Sequence, residues 1–236
     1  MSWANEPLAS FDIESTGIDV ETDRIVTASV VTIEDSTPRV RSWLANPGID
    51  IPESATAVHK VTTEHAKAHG DDPRRVVSEI THALIDAWSL GMPVVIYRAP
   101  FDLSMVDREL RRYGYDGLTI GGLVIDPLVL DKALDKYRKG SRKLVDTARH
   151  YRITLTDDDA HTSTGDCLAA ARVAWKLTRV FPEIGAMSAA ALMAFQADAA
   201  REQAQSLQEH RRRQGKPEFI DPSWPLFPFN ATGAAA

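Results

Sequence analysis

FDIESTG, residues 11–17, closes a short apolar run that begins at Leu8. The run from Leu8 to Ile13 reads as a first strand, and its reading sets the fold. Residues i and i+2 of a strand face the same side, so Asp12 and Glu14 present two carboxylates together. Like charges buried side by side are expensive, and a divalent cation such as magnesium, which prefers oxygen ligands, would offset the cost. A strand end whose acids are simply solvated explains the pair equally well at this point.

Outward from this stretch the elements alternate. Arg24 to Ile33 (RIVTASVVTI) is rich in β-branched residues and predicts strand two. Val40 to Leu44 predicts strand three, closed by the turn Asn46-Pro47-Gly48. From Pro73 to Trp88 the apolar residues Val76, Val77, Ile80, Ala83, Leu84, Ala87 and Trp88 recur at helical spacing, and Gly91 stops the helix. Strands are expected at 93–97 and 122–125, with helices at 101–112, from Pro127, at 143–151 and at 164–181. Three hairpin-like strands followed by alternating helices and strands make an α/β domain with a mixed five-stranded sheet flanked by helices. The domain is expected to span 1–182. A C-terminal helical extension follows over 183–214, Ala- and Gln-rich and ending in Arg211-Arg212-Arg213, and residues 215–236 form an extended or disordered tail.

Composition narrows the function. The net charge is −6, which argues against a protein that holds nucleic acid by bulk electrostatics. It leaves room for an enzyme that grips a strand end through metals. Cys167 is the one cysteine, so no disulfide framework can form within the chain. The N-terminus lacks the charged and apolar regions of a secretory signal, and no apolar run approaches a membrane span. A soluble, cytoplasmic protein with no membrane partner is expected.

Two further segments carry acids. Tyr97-Arg98-Ala99-Pro100-Phe101-Asp102-Leu103 ends a buried strand and delivers Asp102 near a helix N-terminus. Alone, such an Asp is also an ordinary helix cap. His161-Thr162-Ser163-Thr164-Gly165-Asp166 follows the acidic run Asp157-Asp158-Asp159, with Asp166 in the first turn of the next helix. A His near neutral pKa is a natural general base. A surface His before a helix is the plainer reading when it is taken alone.

Together these segments resemble the DnaQ-like exonucleases, the histidine branch of the DEDD superfamily, over about residues 8–181. FDIEST looks like the family's first motif, RAPFDL the second, and His161 with Asp166 the third. Val58-His59-Lys60-Val61-Thr62 is similar to its His-Gly-Ile-Thr stretch near the terminal nucleotide. The resemblance implies a ribonuclease-H-like core and a 3′→5′ exonuclease that releases nucleoside 5′-monophosphates from a nucleic acid 3′ end. Single-stranded DNA is the expected substrate. It implies that Asp12, Glu14, Asp102 and Asp166 hold two Mg²⁺ or Mn²⁺ ions about 4 Å apart, with His161 as general base. Thr16, His59, Val61, Arg98 and Phe101 are expected to line the substrate, with core packing an equal alternative for Phe101.

Two positions depart from the family, which usually has Asn at Arg98 and Gly at Lys60. Arg98 is expected either to bind a phosphate in a fork or, the preferred reading, to pair with Asp102 or Glu14 and compete with a cation. A nuclease fold used only for binding is the alternative these changes favour. A haloacid-dehalogenase-like phosphatase, with Asp12 as nucleophile, is another, but it leaves Asp102 and His161 unexplained. The basic end of the last helix suits the helix dipole or a nucleic acid backbone. The tail, Trp224 to Phe229, either packs on its own domain or docks on a polymerase or sliding clamp.

Overall fold

The computed structural model describes residues 3–154 and 162–229. Five strands run along the chain: β1 (Leu8–Ser15), β2 (Ile25–Glu34), β3 (Thr37–Leu44), β4 (Val94–Val95) and β5 (Val124–Ile125). They form one sheet in the order β3-β2-β1-β4-β5. The first three are antiparallel neighbours, whereas β4 pairs parallel to both β1 and β5. The expected mixed sheet is therefore present, though the two parallel strands are only two residues long.

The helices are α1 (Glu53–His59), α2 (Thr63–His69), α3 (Pro73–Ser89), α4 (Ala99–Arg112), α5 (Pro127–Leu134), α6 (Leu144–His150), α7 (Ser163–Val180), α8 (Pro182–Ala186) and α9 (Ala189–Arg213). In α3, Pro73 occupies the first turn and Asp72 caps it by accepting from Arg74 N, and the seven apolar residues expected to face inward are all buried. The pair α1 and α2 has no counterpart in the sequence reading. Each is seven residues, too short to show amphipathic periodicity.

Strand alternation divides the core into two layers. Ala9, Phe11, Ile13, Val94, Ile96 and Val124 pack with α3 and α4 on one face. Leu8, Val95 and Ile125 pack with α5, α6, α7 and Leu192 of α9 on the other. This is the period-two rule applied to each strand in turn.

The C-terminal extension is bound to the sheet edge by side chains. Gln196 is fully buried. Its Oε1 accepts from Asp126 N at 2.7 Å, and its Nε2 donates to Val124 O at 2.9 Å. One amide thus completes both groups on the open edge of β5, as a further strand would. Gln203 donates to Val129 O in α5, while Gln208 bonds Glu218 O and Ile220 N in the tail.

Residues 215–229 form no helix or strand, yet they are packed. Trp224 and Leu226 lie against the α3–α4 core layer. Phe227 N donates to Ser104 Oγ, and Arg108 donates to the carbonyls of Phe227 and Pro228. Gln196→Ala should strip partners from two buried backbone groups. Each such loss costs about 1–3 kcal/mol, so a total destabilisation of roughly 2–6 kcal/mol is expected in urea unfolding. A change below about 0.5 kcal/mol, the scale of an ordinary surface substitution, would show that α9 is not fastened here.

Candidate active site

The site begins with the pairing of β1 and β2. Asp12 lies opposite Ser29 in the register, and directly opposed residues share a face. Ser29 Oγ is 2.8 Å from both Ser163 Oγ and Thr164 Oγ1, and Ser29 O accepts from Cys167 Sγ. The residue facing Asp12 therefore pins the first turn of α7 to the sheet. Thr162 caps that helix by accepting from Gly165 N. Asp166 sits in the same first turn. Oxygens of Asp12, Glu14 and Asp166 consequently all lie within 4.8 Å of one another.

Asp102 reaches the site from the opposite layer. The helix α4 begins at Ala99, two residues earlier than expected, with Arg98 at the cap position. Asp102 is thus not a helix cap. It lies 4% exposed in the first turn, and its Oδ1 accepts from Ile13 N at 3.1 Å, between Asp12 and Glu14 along β1. It stands outside the three-carboxylate group, but Asp102 is the strongest of the charges that raise Asp12.

What holds α4 at this angle is a residue the sequence reading missed. Asp126, fully buried at the end of β5, accepts from Arg98 N and Ala99 N of α4 and from Leu128 N and Val129 N of α5. One carboxylate caps two helices. The signal in the sequence was Asp126-Pro127, an acid before a helix-opening proline.

The acids are raised together. Burial, then the charge of Asp102, then those of Asp166 and Glu14, push Asp12 well above the usual carboxylate range. Burial is also the main cause for Asp102, and burial with Asp166 brings Glu14 to about 7. Among the described residues no lysine or arginine forms an ion pair with Asp12, Glu14 or Asp102. Elsewhere the chain neutralises its buried acids: Glu109 with Arg24, Asp107 with Arg108 and Arg111, and Asp131 with Arg138 and Arg142. Such a concentrated set of hard oxygen donors fits a divalent cation.

The other expected site residues divide. His59 is buried at the end of α1, and its Nδ1 accepts from Val61 N, which places the ring proton on Nε2. Burial lowers its pKa, so the ring is neutral near pH 7. Val61 packs partly buried beside α2, and Phe101 packs partly buried against the α3–α4 layer. The Thr16 hydroxyl and amide are already used: Oγ1 donates to Asp23 and accepts from Arg24 N, and Thr16 N donates to Arg24 O. Arg98 does not pair with Asp102 or Glu14 among the described residues; its guanidinium lies 5.9 Å from the Phe101 ring centre. The preferred expectation of a cation competitor is corrected accordingly. Arg98 takes a left-handed backbone at the cap position of α4. His161 and the run Asp157-Asp158-Asp159 lie outside the described residues.

This arrangement defines a class, the ribonuclease-H-like nuclease fold. Exonuclease I of E. coli, solved with a dT13 oligonucleotide, matches at a TM-score of 0.63 with 16% identity, covering 76% of this chain and 43% of that one. Exonuclease I of Methylocaldum szegediense matches at 0.62 with 19% identity, covering 76% and 42%. The family is fixed by sequence: the exonuclease family model matches residues 10–174, and the chain belongs to that family. A DNA polymerase III subunit epsilon-like protein of Rhodobacter capsulatus is 29% identical over 175 residues, 71% of this chain and 23% of that protein. The chain therefore spans less than half the length of these relatives.

Raised carboxylates have a signature in stability. Folded Glu14 keeps its proton to about pH 7, whereas its reference value is 4.5. Between these values the folded state binds more protons than the unfolded chain, so stability falls as pH rises. In excess EDTA the melting temperature should decline across this window, less steeply in Glu14→Gln, and Mg²⁺ should flatten the profile. The comparison with Glu14→Gln separates this effect from His59, whose lowered pKa acts in the other direction. Identical slopes in the two proteins would rule out Glu14 as an uncompensated acid.

Proposed function

We propose that this protein is a metal-dependent 3′→5′ exonuclease acting on single-stranded nucleic acid, with DNA preferred over RNA. The observation that carries the reading is the group Asp12, Glu14 and Asp166, assembled within 4.8 Å and joined by the adjacent Asp102, with no arginine or lysine ion-paired to Asp12, Glu14 or Asp102 among the described residues. The exonuclease I structure that holds a single-stranded oligonucleotide supports the substrate class.

In this proposal the four carboxylates hold two Mg²⁺ or Mn²⁺ ions, and Asp12 borders both Asp102 and the Glu14–Asp166 pair. Divalent cations bound there supply Lewis-acid charge at the scissile phosphate. His161 accepts a proton from the attacking water, whose oxygen bonds to phosphorus as the bond to the penultimate 3′ oxygen breaks. A nucleoside 5′-monophosphate leaves, and the shortened strand keeps a 3′ hydroxyl. Phe101 and Val61 flank the terminal base, the His59 Nε2 proton faces its sugar or phosphate, and Thr16 shapes the loop beneath. Arg98, free of the acids, is assigned to substrate phosphate.

The catalytic unit is proposed as residues 1–182, with 183–214 and the tail as its support. A cytoplasmic setting belongs to the same proposal, and the buried free thiol of Cys167 suits a reducing compartment. A polymerase or sliding clamp that took the tail would have to compete with α4 for Trp224 and Phe227. The binding-only alternative loses its main support, because neither Arg98 nor Lys60 is ion-paired with these acids among the described residues. Membership of the exonuclease family disposes of the phosphatase alternative.

The test uses end-labelled single-stranded DNA, duplex DNA and RNA with Mg²⁺, with Mn²⁺ and with EDTA. Stepwise release of mononucleotides from a 3′-labelled strand, abolished by EDTA, is expected. Undiminished hydrolysis by metal-free protein would sink the metal reading, and release from the 5′ end would overturn the polarity. Asp12→Ala and Asp166→Ala should each remove most turnover while the protein stays folded by circular dichroism.

His161→Ala should lower the rate by about two to four orders of magnitude, the usual range for a general base. Its metal affinity, measured by calorimetry, should match wild type. A collapse of affinity would reassign His161 as a ligand.

A further inference from the structure

A second feature lies where the C-terminal extension meets α5. A groove of about 840 Å³ opens between α5 and α9. Its walls carry Lys132, Lys136, His210 and Arg213, together with Arg138 and Arg142, which share the buried carboxylate of Asp131 between them. Only two acids, Asp198 and Glu202, line it, and Asp198 already pairs with Arg201 outside the groove. In a chain of net charge −6 this is a marked local excess of positive charge.

The groove also holds an aromatic ring with no structural duty. Tyr137 is 89% exposed, the most exposed large hydrophobic residue among those described, and stands on the lip beside Lys136. Exposed rings interleaved with cations are the working parts of single-strand binding, where bases stack on the rings and the cations follow the backbone. A duplex has no unstacked base to offer such a ring, and a folded acidic partner would not need it.

Lys132, which lines the groove, feels the positive charges of both Arg142 and Arg98, and Arg98 lies 5.9 Å from the ring centre of Phe101, the neighbour of Asp102 in the chain. Arg138 and Arg142 are held rigid from behind by the buried carboxylate of Asp131. We propose that the α5–α9 groove binds the sugar-phosphate backbone of a single-stranded polynucleotide, upstream of the 3′ end that sits at Asp12, with Tyr137 stacking on one of its bases. The proposal rests on the nuclease reading for the direction of the strand. It gives the extension, and Arg213 in its basic end, a direct role in substrate affinity.

The test is fluorescence anisotropy with the full chain in EDTA, using labelled oligothymidylates of about four and about sixteen nucleotides, the span of usual single-strand site sizes. The variants are Lys136→Glu with Arg213→Glu, and Tyr137→Ala, all at exposed positions that should not disturb folding. Each is expected to weaken binding of the long strand by about tenfold or more. The double variant should also lower the slope of log K against log salt by about one or more. The affinity for the short strand should change by less than about twofold, because that strand occupies only the acidic centre. Wild-type affinity for the long strand in all variants would overturn the proposal, as would equal losses on both strands. Mg²⁺-dependent hydrolysis of the short strand by wild type reports on the nuclease reading separately. Loss of long-strand binding in the variants without that hydrolysis would keep the groove and sink the nuclease.

Discussion

A carboxylate taken out of water must be compensated, and this chain does so in two ways, with one group of acids set apart from both. Asp107, Glu109 and Asp131 are met by arginines. For Asp131, burial pushes the group up, but hydrogen bonds from Arg138, Arg142 and Tyr151 outweigh it and hold it below the usual range. Asp126 is met by four backbone amides at two helix starts. Among the described residues Asp12, Glu14 and Asp102 are met by no arginine or lysine, and Asp102 has backbone amides for partners. The members of this group instead raise one another. An arrangement that costs stability in the metal-free protein persists because the surrounding structure enforces it.

That enforcement can be followed through the hydrogen bonds. Ser29 ties α7 to the sheet opposite Asp12, so Asp166 arrives at Asp12 by register. Asp126 ties α4 to the end of β5, so Asp102 arrives at Ile13 by helix placement. Gln196 then ties α9 to Asp126 itself. The helix that looks like an appendage in sequence thus stands two hydrogen-bonded links from a helix that carries a site carboxylate. The tail braces that same helix from its far side through Ser104 and Arg108.

Periodicity made the long elements legible. The seven inward residues of α3 and the β-branched run of β2 each carry a repeat that only one secondary structure satisfies. The acids of the site were legible as well, because Asp12 and Glu14 needed only strand geometry and Asp166 only a first helical turn. Hydrogen bonds between single side chains and backbone were not legible. Ser29, Asp126 and Gln196 act once each, at positions set by register and crossing angle, and no local pattern announces them. The start of α4 was misplaced by two residues because Ala99-Pro100 reads as a turn. In the structure Pro100 is an opening helical residue behind a left-handed Arg98.

The two departures from the family share a physical cause. Arg98 has φ 74° and Lys60 φ 64°, both left-handed. Gly and Asn are the residues that adopt this conformation most readily, so the usual Gly and Asn at these positions answer to the backbone before they answer to chemistry. A long cationic side chain there is strained by about 1–3 kcal/mol and persists only where its surroundings fix it. At Arg98 the fixing groups are visible: Asp126 accepts from its amide, and the Phe101 ring lies beneath its guanidinium. A charge that looked, in sequence, like a threat to the acids forms no ion pair with Asp102 or Glu14 among the described residues, and it is felt at Lys132 of the positive groove.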